Sequence, residues 1–262
     1  MFEKRKNFLK EKIAKGKPLI GTFNTLSSPI VSEILARSGF DFLIIDFEHG
    51  ALDLRNISNY VNACENYGCS PIIRIPTNSP WMVSQALDQG AHGIMVPGIN
   101  DFASAKKFVS STKFHPIGNR GFTPFTKSGG FTNRMNSEYS SRANDFTLSS
   151  IIIESLEGLN DLENILKIKD LDIIYFGAYD LSQALGFPGE VKNSKVISII
   201  QNATNKVISS GKIAGGFVPQ SESDIDWLLD MGIKFITYNV DSDILFDSSN
   251  KIVNWFNNKK SI

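Results

Sequence analysis

The sequence predicts an α/β fold, a closed (β/α)₈ barrel that forms a single domain over residues 1–262. Its length of 262 residues exceeds one typical domain but suits a single barrel of this kind. Eight short apolar runs recur along the chain, and a stretch with helical periodicity follows each of them. The glycine-rich fingerprint of a dinucleotide-binding sheet is missing after the first run, which continues as GTFNTLSS from Gly21. A closed barrel is therefore favoured over an open, doubly wound sheet.

The apolar runs are the predicted strands. They are continuous rather than alternating in hydrophobicity, as expected of parallel strands that are covered on both faces. In chain order, the predicted strands are residues 19–23, 42–46, 71–75, 93–96, 150–154, 172–176, 213–217 and 234–238.

Start and stop signals delimit the predicted helices. Asp101 and Ser79 stand where an N-cap is expected, and Pro80 follows Ser79 at the first helical position. Gly39 and Gly90 follow helical stretches, where a left-handed C-terminal cap is expected. In chain order, the predicted helices are residues 29–38, 55–66, 80–89, 101–112, 156–167, 195–209, 222–231 and 243–257.

Two segments lie outside this alternation. The lysine-rich N-terminal stretch carries one apolar stripe of Phe2, Leu9 and Ile13, which predicts a solvated helix that lies on the body of the protein. Residues 113–149, after the fourth strand–helix unit, are too long for an ordinary connection. We expect a short helix near residues 133–144 and a structured loop, of a kind that often covers an active site.

Charge and cysteine content exclude several classes of function. The 27 basic and 27 acidic residues cancel, so no general field attracts nucleic acid or an anionic membrane. The longest apolar runs are far shorter than the roughly 18 residues that a membrane span requires. Cys64 and Cys69 form neither a zinc-ribbon pattern nor a disulfide framework. We expect a cytoplasmic protein without nucleic-acid or membrane partners.

Ionisable residues stand at the carboxyl ends of four predicted strands, where catalytic groups lie in such a barrel. Each one alone has an ordinary interpretation: Asp180 as a helix cap, Arg74 as half of a structural ion pair, His49 as a loop histidine. Together they predict a functional site, because partly buried charges are costly unless they are partnered. The set comprises Asp46, Glu48, His49, Arg74, Glu154 and Asp180.

The residue types in this set indicate a reaction. Glu154 and Asp180 offer hard oxygen ligands for Mg²⁺ or Mn²⁺. Arg74 can hold a carboxylate or an enolate oxygen, and His49, oriented by Asp46, can transfer a proton. A metal, a cation and a base suit proton abstraction or carbon–carbon cleavage next to a carbonyl. A Schiff-base aldolase is disfavoured, because no lysine stands at these strand ends.

Four motifs follow one another in a specific order: D-x-E-H at Asp46, R-x-P at Arg74, I-E-S around Glu154 and G-x-x-D-L-S at Gly177. They are accompanied by LDQGAHGIMVP from Leu87 and PIGNRG from Pro116. With these motifs the chain, from about residue 19 to the end of the last predicted strand, resembles the HpcH/HpaI family of metal-dependent class II aldolases.

The resemblance implies an enzyme, a carbon–carbon lyase that cleaves or forms 4-hydroxy-2-oxo acids through a metal-bound pyruvate enolate. Glu154 and Asp180 would bind the divalent metal, and a 2-oxo acid such as pyruvate would chelate it. Arg74 would stabilise the enolate, and His49, paired with Asp46, would transfer the proton.

The resemblance also implies contacts around the substrate and between subunits. Backbone N–H groups at Ala178 and Tyr179 would face the substrate carboxylate. Asp88 would approach the site of an adjoining subunit, and Arg120, in PIGNRG, is expected to contact the substrate. The implied assembly is a homo-oligomer, a hexamer built from dimers that exchange a C-terminal helix.

The chain departs from the family pattern at four positions of the expected site. Ile152 stands where many members carry glutamine, Ala178 where proline is common and Phe23 where tryptophan is common, and Phe47 lies inside D-x-E-H. Two alternatives therefore stay open. One is a condensation of oxaloacetate with acetyl-CoA, as in siderophore-pathway citrate synthases of the family, and the other is a non-catalytic barrel that binds a small acid.

Overall fold

The computed structural model describes residues 6–133, 138–218 and 221–260. Eight parallel strands pair in sequence order and the last pairs with the first, so the sheet closes into the predicted (β/α)₈, or TIM, barrel. The strands are β1 Leu19–Asn24, β2 Phe42–Asp46, β3 Ser70–Arg74, β4 Gly93–Val96, β5 Leu148–Ile153, β6 Ile173–Phe176, β7 Ile213–Val218 and β8 Phe235–Val240.

Helices follow the strands and return the chain to the amino-terminal rim of the barrel. All eight predicted helices are present, although the one expected over residues 156–167 is divided in two, and an unpredicted helix, α9, follows β6 directly. The helices are α1 Phe8–Ala14, α2 Pro29–Arg37, α3 Ile57–Glu65, α4 Pro80–Asp88, α5 Phe102–Thr112, α6 Tyr139–Phe146, α7 Leu156–Asn160, α8 Leu162–Ile165, α9 Ala178–Ala184, α10 Ser194–Ser209, α11 Glu222–Asp230 and α12 Asp241–Lys260. In the described part of the chain, none of these helices is apolar over a length that would cross a membrane.

Alternation along the strands decides which side chains reach the barrel interior. Ile44, Ile72 and Ile152 belong to one buried cluster inside the barrel. Because strand side chains alternate with a period of two, the residue two positions after each of them also points inward, but at the carboxyl rim. Those residues are Asp46, Arg74 and Glu154. The strand pattern itself therefore brings three of the predicted site residues to one mouth.

The N-terminal helix α1 closes the opposite end of the barrel. Leu9 is fully buried in the interior cluster, and its backbone N–H donates to Ser70 Oγ at 3.1 Å. The Asn7 side chain, which caps α1, donates to the carbonyl of His92 at 3.0 Å. The predicted apolar stripe is confirmed at Leu9 and Ile13, which packs against the same cluster, whereas Phe2 lies outside the described residues. The helix is a plug rather than a solvated surface helix.

The long segment after α5 lies at the amino-terminal rim and does not cover this chain's own site. The Ser128 N–H donates to the carbonyl of Asp88, at the end of α4, and Lys127 Nζ lies 3.1 Å from Glu65 Oε2, at the end of α3. A connection that follows a helix and precedes a strand must emerge at this rim, which explains why the expected covering role is wrong for the chain itself. The short helix expected near 133–144 is α6; residues 134–137 lie outside the described part.

Candidate active site

Arg74 is the centre of the site and is held by two carboxylates of the turn after β2. Its Nε donates to Asp46 Oδ1 at 2.8 Å and its Nη2 to Asp46 Oδ2 at 2.6 Å, a bidentate pair. Its Nη1 lies 3.0 Å from Glu48 Oε2. The guanidinium also stacks on the Phe23 ring, with Cζ 4.6 Å from the ring centroid. The cation is therefore fixed before any ligand binds.

The sequence led us to expect that Asp46 orients the His49 imidazole, but in the structure it does not. Arg74 occupies both of its oxygens, and Asp46 Oδ1 also accepts the backbone N–H groups of Glu48 at 3.0 Å and His49 at 3.3 Å. The His49 side chain is 71% exposed, and its Nε2 lies 3.9 Å from Glu48 Oε2. The carboxylate nearest to the imidazole is thus Glu48, which the D-x-E-H motif contained but to which sequence reasoning assigned no role.

Glu154 stands directly after β5, in space that a glycine leaves open. Its Oε1 accepts the backbone N–H of Gly98 at 2.7 Å. A Cβ on Gly177 would lie 2.8 Å from Glu154 Cβ and 3.3 Å from Glu154 Oε2, so a side chain at position 177 would crowd the carboxylate. Gly177 is also the N-cap residue of α9, and Asp180 therefore lies inside the first turn of α9 rather than capping it.

Negative charge exceeds positive charge at this mouth. Burial raises the pKa of Glu154, the Gly98 N–H opposes the rise, and the nearby charges of Asp180 and Glu48 add to it. Burial likewise raises the pKa of Glu48, against the lowering influence of Arg74. Neighbouring carboxylates repel one another when ionised, and a bound cation relieves that repulsion. This set of oxygen donors therefore fits a hard divalent metal. Among the described residues, no cluster of three or more His, Cys, Asp or Glu side chains forms a complete metal site.

The chain is similar to several known proteins. Residues 19–247 match the HpcH/HpaI aldolase/citrate lyase family. The chain is 32% identical over 235 residues to a hydroxypyruvate/pyruvate aldolase of Agrobacterium fabrum, covering 90% of this chain and 88% of that protein. It is 31% identical over 240 residues to a 4-hydroxy-2-oxo-heptane-1,7-dioate aldolase of Salmonella typhimurium, covering 92% and 90%.

The chain belongs to the HpcH/HpaI aldolase/citrate lyase family. The predicted family and fold are thereby confirmed, as is the prediction of an aldolase-type carbon–carbon lyase. The crystal structure of the citrate synthase SbnG is also similar, with a TM-score of 0.85 and 27% identity, over 96% of this chain and 98% of that one. The barrel is thus shared by relatives with different named reactions.

Two predicted substrate contacts of this family member lie far from Arg74 in the same chain. Arg120 Nη2 donates to Asp88 Oδ1 at 2.7 Å, and the guanidinium stacks on Phe114 with Cζ 4.5 Å from the ring centroid. Asp88 ends α4 at the amino-terminal rim, opposite the mouth that holds Arg74. Their contact with substrate stays a prediction, and it requires that this rim meets the mouth of another subunit.

The departures from the family pattern fall on both sides of the sheet. Phe23 faces Arg74, and Ile152 is buried in the barrel interior. Phe47 packs in the outer cluster between sheet and helices, because it alternates with the inward Asp46. It therefore does not narrow the mouth. Ala178 and Tyr179 form the first turn of α9 beside Asp180, and Tyr179 is exposed.

Proposed function

We propose that this chain is a metal-dependent aldolase that joins pyruvate, or a similar 2-oxo acid, to an aldehyde and reverses that reaction. The observation that carries the proposal is the fixed guanidinium of Arg74 beside the carboxylates of Glu154 and Asp180 at one rim. A 2-oxo acid presents two adjacent oxygens and an acidic C–H bond, and this mouth offers charges of both signs to it.

Glu154 and Asp180 are the proposed ligands of the divalent metal, Mg²⁺ or Mn²⁺. Oxygen ligands, the raised pKa of Glu154 and the space beside Gly177 support this choice. Two carboxylates leave most of an octahedral shell to water and substrate. When bound, the metal supplies Lewis-acid polarisation of the substrate carbonyl.

The remaining chemistry falls to side chains and backbone. Arg74 stabilises the negative charge that develops on the keto oxygen, and a preplaced donor of this kind is worth roughly 3–4 kcal/mol. Asp46 and Glu48 hold the guanidinium at the correct angle. His49 exchanges the proton at the carbon next to the carbonyl, with Glu48 as its nearest carboxylate. Backbone N–H groups at Ala178 and Tyr179 are the proposed partners of the substrate carboxylate.

The proposed assembly is a homo-oligomer, a hexamer arranged as a trimer of dimers. Large apolar side chains on α12, among them Leu245, Ile252 and Trp255, are exposed in the single chain, which supports their burial against a second copy. Such an assembly would also bring Asp88 and Arg120 to a neighbouring mouth. The free, buried thiols of Cys64 and Cys69 support a reducing compartment, the cytoplasm.

Substitution of the two proposed ligands tests the metal. Glu154→Gln and Asp180→Asn should each remove most of the pyruvate released from a 4-hydroxy-2-oxo acid, and abolish the rise in melting temperature on adding Mn²⁺. Glu157→Gln, an exposed carboxylate three residues from Glu154, is the matched control and should behave as the native chain. Full activity of a metal-stripped sample, with metal content checked by elemental analysis, would refute the proposal.

The similarity to the citrate synthase SbnG favours one second candidate, condensation of oxaloacetate with a thioester. Release of free CoA from acetyl-CoA and oxaloacetate measures that reaction directly. We expect this release to be negligible beside pyruvate production. The carboxylates of Glu48, Glu154 and Asp180 near Arg74 would repel a small acid bound without a metal, which argues against a barrel that only binds such an acid.

A further inference from the structure

The carboxylate of Asp241, the first residue of α12, binds three consecutive residues where β1 ends. Its Oδ2 accepts the side-chain amide of Asn24 at 2.7 Å and the backbone N–H of Leu26 at 3.0 Å. Its Oδ1 accepts the backbone N–H of Thr25 at 3.0 Å and the Thr25 hydroxyl at 2.8 Å. The backbone N–H of Ser242 also donates to Oδ1, at 2.9 Å. Five neutral donors therefore surround one acidic residue that is 3% exposed.

These bonds fix the backbone that follows β1. Asp241 comes directly after β8, and β8 pairs with β1, so the carboxylate ties two neighbouring strand ends together at the carboxyl rim. Hydrogen bonds to an ionised carboxylate are about twice as strong as those between neutral groups. Because a buried N–H that loses its acceptor is costly, the chain at Thr25 keeps the conformation that serves all of these donors.

The backbone of Thr25 supports the turn that carries His49. This turn, residues 46–50, closes where the Gly50 N–H donates to the Asp46 carbonyl at 3.1 Å. A Cβ on Gly50 would lie 3.1 Å from the Thr25 carbonyl oxygen and 3.2 Å from Thr25 Cα. The two backbones therefore pack against each other with no side chain between them, directly after His49.

The His49 side chain has little packing of its own. It is 71% exposed, and its Nε2 lies 3.9 Å from Glu48 Oε2. The position of the imidazole is therefore set by the backbone of the turn. Misplacement of a catalytic group by about 1 Å can lower a rate by about 10²-fold, so whatever holds this turn in place affects proton transfer.

We propose that Asp241 is a positioning residue for proton transfer: its carboxylate holds Thr25, and the Thr25 backbone holds the turn of His49. This inference rests on the proposed function, because His49 is the group proposed to move the pyruvate proton. None of the five bonds to the carboxylate reaches Arg74 or Glu154, so binding of pyruvate and of the metal is independent of Asp241.

Asp241→Asn tests the proposal, because an amide offers one acceptor oxygen where the carboxylate offers two. The kcat for exchange of pyruvate methyl protons in D₂O should fall by about 10–10²-fold, while the KM for pyruvate and the affinity for Mn²⁺ stay within about twofold. Asp243→Asn, in the same turn of α12, is the matched control and should exchange at the native rate. The Asp243 carboxylate accepts the Asn239 amide at 2.6 Å, and an amide oxygen can accept it too.

Two variants of Thr25 act on the same contact with a smaller change. Thr25→Val removes the hydroxyl bond and should lower the kcat for exchange by about fivefold, whereas Thr25→Ser keeps the hydroxyl and should stay within about twofold of the native rate. A ¹H–¹³C spectrum reports the imidazole itself. The signal of His49, one of three histidines, is assigned by its loss in His49→Ala. It should shift in Asp241→Asn and Thr25→Val but not in Thr25→Ser.

Rates are compared per folded chain, and if Asp241→Asn does not fold, the two Thr25 variants decide. If the native chain exchanges deuterium and these variants do so at the native rate, or if the His49 signal does not shift, the positioning role is refuted and the aldolase stands. A raised KM with an unchanged kcat would refute it as well. If the native chain with Mg²⁺ or Mn²⁺ neither exchanges deuterium nor forms an aldol, the proposed function itself fails and this inference with it.

Discussion

Arg74 and the His49 imidazole are both candidates to pair with the Asp46 carboxylate, and in the structure Arg74 forms the pair. The sequence placed Asp46, His49 and Arg74 at strand ends, and the alternation of β2 and β3 predicts that they share a mouth. Which of them pair is decided across the sheet, since Asp46 and Arg74 are direct register partners. A bidentate guanidinium binds a carboxylate more strongly than an exposed imidazole does. Spacing along the chain showed that His49 is near Asp46, but not that Arg74 is nearer.

Replacement of Arg74 by lysine tests whether the bidentate geometry of the guanidinium matters for activity. Lysine keeps the charge but cannot hold both Asp46 oxygens and a ligand oxygen in one plane. We expect Arg74→Lys to lower kcat by about 10²–10³-fold while the circular dichroism spectrum stays native. Lys127→Arg, a cation of the opposite rim, serves as the control. Near-native turnover of Arg74→Lys would reduce Arg74 to a structural role.

Among the elements, the strands were predictable and the long segment was not. Continuous apolar runs located all eight strands to within two residues at each end, because burial on both faces leaves a clear signal. The segment after α5 carries no such signal, since buried polar contacts fix it. Lys113 Nζ donates to the carbonyls of Asn144 at 2.8 Å and Thr147 at 2.7 Å. No spacing in the sequence predicts partners that lie about thirty residues apart.

The pH dependence of unfolding tests this anchor. Burial lowers the pKa of Lys113 to about 8, below the usual 10.5. Between these two values the unfolded chain binds more protons than the folded one, so the Lys113 contribution to the free energy of unfolding increases with pH. At pH 7, Lys113→Met should be less stable than the native chain by roughly 1–3 kcal/mol, because two carbonyls lose their hydrogen-bond donor. Its deficit relative to the native chain should widen from pH 8 to pH 10, as urea titrations would show. A difference in the free energy of unfolding that stays constant from pH 8 to pH 10 would mean that burial does not lower the pKa of Lys113.

The last helix, α12, carries exposed large apolar side chains that support the proposed assembly of several chains. Trp255 of α12 is 64% exposed, and Ile252 and Leu245 lie on the same side of the helix. We predict that the double variant Ile252→Glu and Trp255→Glu dissociates the oligomer, because two buried charges would oppose the interface. Sedimentation equilibrium measures the mass, and Asn254→Glu, on the other side of α12, is the control. Activity per chain should fall with the mass, since Asp88 would leave the neighbouring mouth. An unchanged mass would place the interface elsewhere.

The proton step at His49 tests the central claim that this mouth activates a 2-oxo acid. Pyruvate in D₂O, followed by NMR without an aldehyde, reports exchange at the methyl group alone. The native enzyme with Mg²⁺ or Mn²⁺ should exchange these protons, a chelator should stop the exchange reversibly, and His49→Ala should slow it by about 10²–10⁴-fold with metal affinity unchanged. Exchange at the native rate by His49→Ala would assign the base to another group. Absence of exchange in every sample would contradict the account, and the thioester condensation would become the better reading of the site.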